Sequence, residues 1–435
     1  MKIGIIGGTK GLGKTLACYL KHDNFDVTIT GRDEKVGKKV SHKLNVKYTS
    51  NNLEVAENVD ILIISVPIHV TINIIKELAP HMKKGSLLMD VTSVKTQATY
   101  TMNKYIPEGV ESIPTHPVFG PRTPGFEGQV IVLTPLKKGK WYPKIYNYFK
   151  SKNMRIIETD CKHHDNMMGI VQVLTHFSYI STAYAMEKLK VDIKETEEYE
   201  SPIYNIMIDT IARIVSQNPF LTYSIQEENI NGENIRQKFY EAVLELKKVL
   251  SLKDQEKFKE ITIKSTKNMG DIKAALGRSD KLINTLSEES NYLYGSIGSE
   301  IGLKHIYSQN IHVGIVKSIK DNFVTIKNKN NKEEKLKISN VKILTNEELL
   351  NWKKDNYKLY TESISCVFKN NSNKYIIAKV IEKMDDITNV KITDEYTGPQ
   401  INDNEISYTY EISGLNKKSI EDVKKLIIGF GGVIR

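Results

Sequence analysis

Cysteine is scarce in this 435-residue chain: Cys18, Cys161 and Cys366 stand far apart, are odd in number and form no cluster. That excludes a disulfide scaffold and a cysteine-rich zinc site, and it fits a reducing cytoplasm. Long apolar runs are also missing. The longest, Ile61 to Val70, is interrupted by Pro67 and is far short of the roughly 20 residues that span a bilayer, so no membrane span is expected. The opening residues, Met1-Lys2-Ile3-Gly4-Ile5-Ile6-Gly7-Gly8, run straight into an apolar stretch and glycines, and no secretory leader is expected. With 40% apolar and 26% charged residues, neither disorder nor coiled coil can dominate. At roughly 100–200 residues per domain, the length predicts two to four domains.

Acids are fewer than bases, which leaves a net charge of +10. Half of that excess lies between Lys317 and Lys342, where eight lysines face Asp321, Glu333 and Glu334. The surplus therefore belongs to one local module.

The first 155 residues alternate short β-branched runs (Lys2–Gly7, Asp26–Thr30, Asp60–Val66, Leu87–Val91, Val130–Leu133) with amphipathic stretches long enough for crossover helices. This is the pattern of an α/β domain with a doubly wound, Rossmann-like parallel sheet. Residues 156–290 carry apolar positions at three- and four-residue spacing and predict an all-helical domain. Residues 291–350 read as a linker and a small β element, with runs at Ile311–Ile319 and Asn322–Ile326 before the polar turn 328–331. Residues 351–435 read as strand, helix, two strands, helix, strand, the order of a ferredoxin-like α+β module.

The segment Gly7-Gly8-Thr9-Lys10-Gly11-Leu12-Gly13 follows the first strand and opens a helix, the arrangement that offers a dinucleotide pyrophosphate close backbone approach, free N–H groups and a favourable dipole. In the G-x-G-x-x-G register, Gly8 and Gly13 fit, but Lys10 holds the middle place and Gly11 comes one late. Gly8, Thr9, Lys10, Gly11, Leu12 and Gly13 are the expected cofactor contacts. The second strand ends in Gly31-Arg32 where an acidic residue would bind the ribose hydroxyls. Arg32 offers a donor fork suited to a 2′-phosphate, so NAD(P) is expected with NADP slightly preferred; the alternative is that Asp33 serves the ribose. Ser65, Val66 and Pro67, ending the next apolar strand, are expected at the same cofactor edge.

Asp90-Val91-Thr92-Ser93-Val94-Lys95 again follows an apolar strand, which brings Ser93 and Lys95 to that edge. About twenty residues on comes Thr115-His116-Pro117-Val118-Phe119-Gly120-Pro121, where the proline holds the histidine backbone extended. Several polar groups converge there, and His116 is the candidate catalytic residue.

The Asp90–Lys95 and His116–Pro121 motifs, the stretch His164-Asp165-Asn166-Met167-Met168-Gly169-Ile170-Val171-Gln172-Val173-Leu174-Thr175-His176-Phe177, and the segment Ser201 to Arg213 together resemble the prephenate dehydrogenase family of tyrosine biosynthesis over about residues 1–285. The resemblance implies oxidative decarboxylation of prephenate to 4-hydroxyphenylpyruvate, with arogenate as the alternative substrate. It also implies His116 and Ser93 in catalysis, Arg213 as the substrate-anchoring cation, and a homodimer. On an ideal helix Asp165, Gln172 and His176 fall within about 20° of one axial line, a polar stripe fit to wall a site. Ser201-Pro202 reads as N-cap and first helical residue, which puts Arg213 about three turns in. Gln172, His176 and Lys95 join Arg213 as expected substrate contacts. The His163-His164 pair matches no zinc spacing, and no metal is expected.

The C-terminal stretches Asp394–Gln400 and Ser419–Arg435 resemble the ferredoxin-fold anticodon-binding domain of phenylalanyl-tRNA synthetases. The ACT sensor domain shares the same element order, although the turn Lys369–Lys374 lacks the glycine usual in an amino-acid-binding ACT turn. Nucleic acid is expected, if at all, only through this C-terminal part, where a lysine-rich RNA-binding role is the rival to the enzymatic reading.

Overall fold

The computed structural model describes residues 1–123, 125–196 and 199–435, and the chain divides into two compact units, Met1–Ile272 and Lys273–Arg435. The first unit begins with an eight-stranded sheet: β1 (Lys2–Ile6), β2 (Asp26–Thr30), β3 (Lys47–Thr49), β4 (Ile61–Ile64), β5 (Leu87–Asp90), β6 (Glu111–Pro117), β7 (Val130–Leu133) and β8 (Arg155–Glu158). Their spatial order is 3-2-1-4-5-6-7-8, with the chain reversing direction about β1 as expected of a doubly wound sheet. All neighbours are parallel except β6 and β7, which pair antiparallel. The expected strands are all present. β3, β6 and β8 offer no apolar run to read: β3 and β8 are short edge strands, and Pro114, His116 and Pro117 break up β6.

Crossover helices α1 (Gly11–His22), α2 (Glu34–Leu44), α3 (Asn52–Asn58), α4 (Ile68–Leu78), α5 (Thr96–Tyr105) and α6 (Tyr142–Ser151) cover both faces of the sheet. Strands buried on both sides read as continuous Ile, Leu and Val runs, and Ile61–Ile64 is buried at every position. One face packs Ile3, Ile5, Ile29, Ile63 and Met89 against α1 and α6; the other packs Ile6, Leu62, Ile64 and Leu88 against α3, α4 and α5.

Helices follow from α7 (Cys161–Met168) through a π-helical segment, Gly169–Leu174, into α8 (Thr175–Lys188), then α9 (Ile193–Thr196), α10 (Pro202–Val215), α11 (Pro219–Glu228), α12 (Gly232–Ser251) and α13 (Gln255–Lys267). As expected, Ser201 caps α10, accepting from the Tyr204 N–H at 3.2 Å, with Pro202 as its first residue. Among the described residues no helix is long and apolar enough to cross a membrane.

The second unit opens on most of α14 (Ile272–Gly295). A five-stranded antiparallel sheet follows, built from β9 (Glu300–His305), β10 (Ile311–Lys320), β11 (Phe323–Lys327), β12 (Glu333–Lys337) and β13 (Val341–Ile343) in the order 12-11-10-9-13, and then α15 (Asn346–Asn356). The last module is β14 (Tyr360–Lys369), α16 (Lys374–Ile381), β15 (Ile387–Tyr396), β16 (Glu405–Gly414), α17 (Lys417–Gly429) and β17 (Val433–Ile434). Its antiparallel order, 15-16-14-17, is that of a ferredoxin-like sheet, with Tyr410, Ile412 and Cys366 buried under both helices.

Candidate active site

The site lies at the carboxyl edge of the eight-stranded sheet, where β1, β4 and β5 end together. At the end of β1 the chain turns into α1, which starts at Gly11 with a φ of +53° and nothing within 4 Å of where a side chain would begin. Lys10, the residue before it, makes no side-chain cap, so the first-turn N–H groups have no partner from it and the positive end of the helix dipole faces the edge. Gly13 is required by packing: a Cβ there would lie 2.7 Å from the Gly7 carbonyl. Gly8 is buried against Ile29, Thr9 lies beside Gly31, and Leu12 is half-buried. Ser65 and Val66 are half-buried and Pro67 is exposed just before α4, so the expected cofactor residues do share one edge. A cradle of open space, uncapped N–H groups and absent side chains fits a dinucleotide pyrophosphate.

Beyond β2, Arg32 is exposed. Asp33 is otherwise engaged: its Oδ1 accepts from the Val36 N–H at 3.0 Å and caps α2. The Tyr48 hydroxyl donates to the Gly31 carbonyl at 2.9 Å and fixes the turn that presents Arg32.

His116 sits two residues past Pro114, the last residue of β6 paired to β5, and is 2% exposed. Its neighbours Thr115 and Pro117 line an apolar cavity in the core, so strand alternation aims the His116 ring at the opposite face, toward α7. There its Nδ1 lies 2.9 Å from Nε2 of His164, and Nδ1 of His164 lies 2.8 Å from Oδ1 of Asp165. Asp165 also accepts from the backbone N–H groups of Lys95 (2.8 Å) and Thr96 (2.9 Å), so it caps α5 from another element. Burial pushes the His116 imidazole well below its ordinary value, and His164 and Lys95 push the same way. Burial likewise lowers His164, against the opposing pull of Asp165. Burial would raise Asp165, but hydrogen bonds from His164, Thr96 and Lys95 outweigh it and hold the carboxyl below the usual range.

Lys95 differs from its expected place at the substrate. The side chain is fully buried, with Nζ ion-paired to Asp90 and donating to the Thr115 carbonyl at 2.7 Å. It ties the ends of β5 and β6 together one residue from His116. Ser93 is half-buried two residues before Lys95. The loop after His116 is held on α1: the Thr15 hydroxyl donates to Pro121 O (3.3 Å) and the Tyr19 hydroxyl to Thr123 O (3.2 Å).

The expected stripe of Asp165, Gln172 and His176 needs correction. The π-helical segment Gly169–Leu174 turns less per residue than an α-helix, so it rotates His176 relative to Asp165. Asp165 is a buried strut, Gln172 is half-buried, and His176 carries a buried Nδ1 with no partner among the described residues. Gln226 of α11, unforeseen in the sequence, donates Nε2 to Val173 O at 2.9 Å and likewise leaves its Oε1 buried and unpartnered. Arg213, in the last turn of α10, is exposed. His164 was also missed. Its signal in the sequence is its place beside Asp165 in the family-like motif, whereas its adjacency to His163 suggests only a metal pair. Among the described residues no His, Cys, Asp and Glu group could hold a metal ion.

A doubly wound sheet with a nucleotide-type glycine turn, a buried histidine at its carboxyl edge and an appended helical domain defines a dinucleotide-dependent dehydrogenase architecture. Residues 16–158 match the prephenate dehydrogenase nucleotide-binding domain, and residues 160–264 match the prephenate dehydrogenase dimerization domain. The chain is 41% identical over 429 residues to a probable arogenate/prephenate dehydrogenase of Methanocaldococcus jannaschii, covering 98% of this chain and 95% of that protein. It is 27% identical over 246 residues to the T-protein of Haemophilus influenzae, covering 56% and 61% respectively. Prephenate dehydrogenase from Aquifex aeolicus shares the fold at a TM-score of 0.50 and 19% identity, over 61% of this chain and 99% of that one. The chain belongs to the prephenate dehydrogenase family and is a pyridine-nucleotide dehydrogenase of the prephenate/arogenate type. The match to the Methanocaldococcus protein runs through the C-terminal unit as well, so that unit is shared with a relative.

Proposed function

We propose that this protein is a prephenate dehydrogenase that uses NADP in preference to NAD and works as a homodimer. The observation that carries the chemistry is His116: buried, neutral by virtue of its lowered pKa, and held at the sheet edge where the glycine turn would seat a dinucleotide. Gly8, Thr9, Lys10, Gly11, Leu12 and Gly13 would hold the pyrophosphate, Ser65, Val66 and Pro67 the adjoining edge, and Arg32 the 2′-phosphate. The engaged state of Asp33 supports NADP, because the carboxylate nearest the ribose position already caps a helix. When bound, the nicotinamide supplies an acceptor for the hydride leaving the hydroxyl-bearing ring carbon.

The chain's own residues perform the rest. Neutral His116 accepts the hydroxyl proton as the ring carbon becomes a carbonyl, with Ser93 aligning the hydroxyl. The ring carboxylate then leaves as carbon dioxide, its bond electrons aromatise the ring, and His116 returns the proton to the phenolate. Atoms and charge balance: the prephenate dianion gives a hydride, carbon dioxide and the 4-hydroxyphenylpyruvate monoanion. Aromatisation makes the chemistry downhill, so positioning is the main task. Arg213 anchors a substrate carboxylate by a charge-assisted bond, and the unpartnered Nδ1 of His176 supports a substrate-facing role for that residue, with Gln172 beside it. The dimerization-domain match supports the homodimer.

The test is a spectrophotometric assay of prephenate and arogenate, each crossed with NAD and NADP. Reduced nicotinamide should form fastest with prephenate and NADP. Activity with arogenate alone would overturn the substrate, and activity with NAD alone would overturn the role of Arg32.

A further inference from the structure

We infer that His164 and Asp165 form a buried relay that fixes the tautomer of His116, making Nε2 the atom that takes the substrate proton and Nδ1 the atom that disperses the resulting charge. His164 is thus a positioning residue for the reaction. The inference rests on the reading of His116 as proton acceptor.

The hydrogen-bond inventory drives the assignment. An ionised Asp165 can only accept, so the His164 nitrogen 2.8 Å away, Nδ1, must carry a hydrogen. A neutral His164 then has its lone pair on Nε2, where it can only accept. The atom 2.9 Å from that lone pair, Nδ1 of His116, must therefore donate. A neutral imidazole has one N–H, so Nε2 of His116 is left bare. Two lone pairs facing each other at 2.9 Å inside a buried site is the only other neutral arrangement, and it forfeits a hydrogen bond without water to replace it. The rings cross at 73° with centroids 5.1 Å apart, which is an edge approach and not a stack.

The far end of the relay is rigid. Asp165 is gripped by the Lys95 and Thr96 backbone N–H groups, and Asn229 Nδ2 donates to the Asp165 carbonyl at 2.9 Å. Asp165 is 0% and His164 2% exposed. When His116 takes the hydroxyl proton it becomes an imidazolium whose Nδ1–H points at His164, and His164 in turn points its own N–H at the carboxylate. No further proton needs to move for Asp165 to stabilise that charge.

The relay also fixes the direction of a pH effect. The titratable groups that act on His116 are His164 on α7 and Lys95 at the start of α5, each backed by its own carboxylate, Asp165 and Asp90. If His164 were protonated, both its nitrogens would donate, His116 would have to accept through Nδ1, and Nε2 would carry the hydrogen and be useless as an acceptor. Acid therefore silences the site by either histidine.

The test needs no mutation at first. Nitrogen-15 spectra of the imidazoles of the full-length protein at pH 8, with the His116 signals identified by their loss in His116→Asn, should show a bare Nε2 and a protonated Nδ1. His164→Phe, which removes the acceptor, should mix the tautomers and lower kcat roughly 10- to 100-fold, less than the roughly 10²–10⁴-fold for loss of the base itself, with KM within about twofold. The acid limb of kcat/KM should move up in His164→Gln, because a neighbouring imidazole no longer adds to the depression of His116 that burial mainly causes, while the Gln amide oxygen accepts from Nδ1–H and restores most of kcat. A protonated Nε2 in the unaltered protein, or a His164→Phe variant with unchanged kcat and acid limb, overturns the relay and leaves the dehydrogenase reading standing. Full activity in His116→Asn overturns that reading while the spectra still report the tautomer.

Discussion

Nδ1 of His116 and Nε2 of His164 stand 2.9 Å apart in a site where both rings are 2% exposed, so two titratable imidazoles share one dry space. Burial, the first cause of both lowered pKa values, means that the folded protein resists protonation at pH values where the unfolded chain accepts it. Stability from these groups is therefore complete above the unfolded histidine value of about 6.5 and is lost as pH falls below it toward the depressed folded values. Each histidine adds up to about 1.4 kcal/mol per pH unit to the slope. Denaturant unfolding from pH 7.5 to 5 should show this fall, and His116→Asn should flatten it. An unchanged slope in that variant would show that the ring is free to protonate when folded.

Lys95 predicts a different outcome. Its Nζ lies fully buried on Asp90, so Lys95→Met leaves an uncompensated carboxylate and should cost about 3–5 kcal/mol, read as a lower urea midpoint. The Lys95→Met, Asp90→Asn double variant should recover part of that loss, since it removes both charges. A Lys95→Met protein of unchanged midpoint would contradict the buried pair.

Arg32 is exposed and its effect should be confined to the cofactor. Arg32→Ala is expected to raise KM for NADP roughly 10- to 100-fold, the equivalent of a charge-assisted hydrogen bond worth about 1.5–3 kcal/mol, and to leave KM for NAD within about threefold. Equal effects on both cofactors would remove Arg32 from the 2′-phosphate.

Gly13 tests the packing of α1 on the sheet. A Cβ there meets the Gly7 carbonyl at 2.7 Å and the Ser65 hydroxyl at 2.9 Å, so Gly13→Ala must push α1 away from the sheet edge. Nucleotide affinity should fall, measured by quenching of intrinsic fluorescence, while far-ultraviolet circular dichroism keeps its shape. Unchanged affinity would show that the helix end does not need this close approach.

The strand runs Asp26–Thr30 and Val130–Leu133 were legible to the residue, the first from its alternation of Val27 and Ile29 with polar residues and the second from its unbroken apolar run. β6 was not, since Glu111-Ser112-Ile113-Pro114-Thr115-His116-Pro117 places proline and polar residues where β6 reaches past its neighbour β5. The C-terminal module was readable from its pattern because three of its four strands, β14, β15 and β16, are ten residues long and partly buried. In the candidate site, the placement of His116 and of the glycine turn at the carboxyl edge was legible from local chemistry. His164 was not, because its role is set by a contact 48 residues away that spacing does not encode. The phase of His176 was misjudged because no residue type announces a π-helical segment.

The central claim is that His116 takes the substrate proton during oxidation of prephenate. Its most direct test is the initial rate of reduced-nicotinamide formation from saturating prephenate and NADP by the unaltered protein and by His116→Asn, at pH 7.5 and equal concentration of folded protein. The rate should fall about 10²–10⁴-fold, equivalent to about 3–5 kcal/mol of transition-state stabilisation, with KM for prephenate little changed. Turnover at the unaltered rate would contradict it.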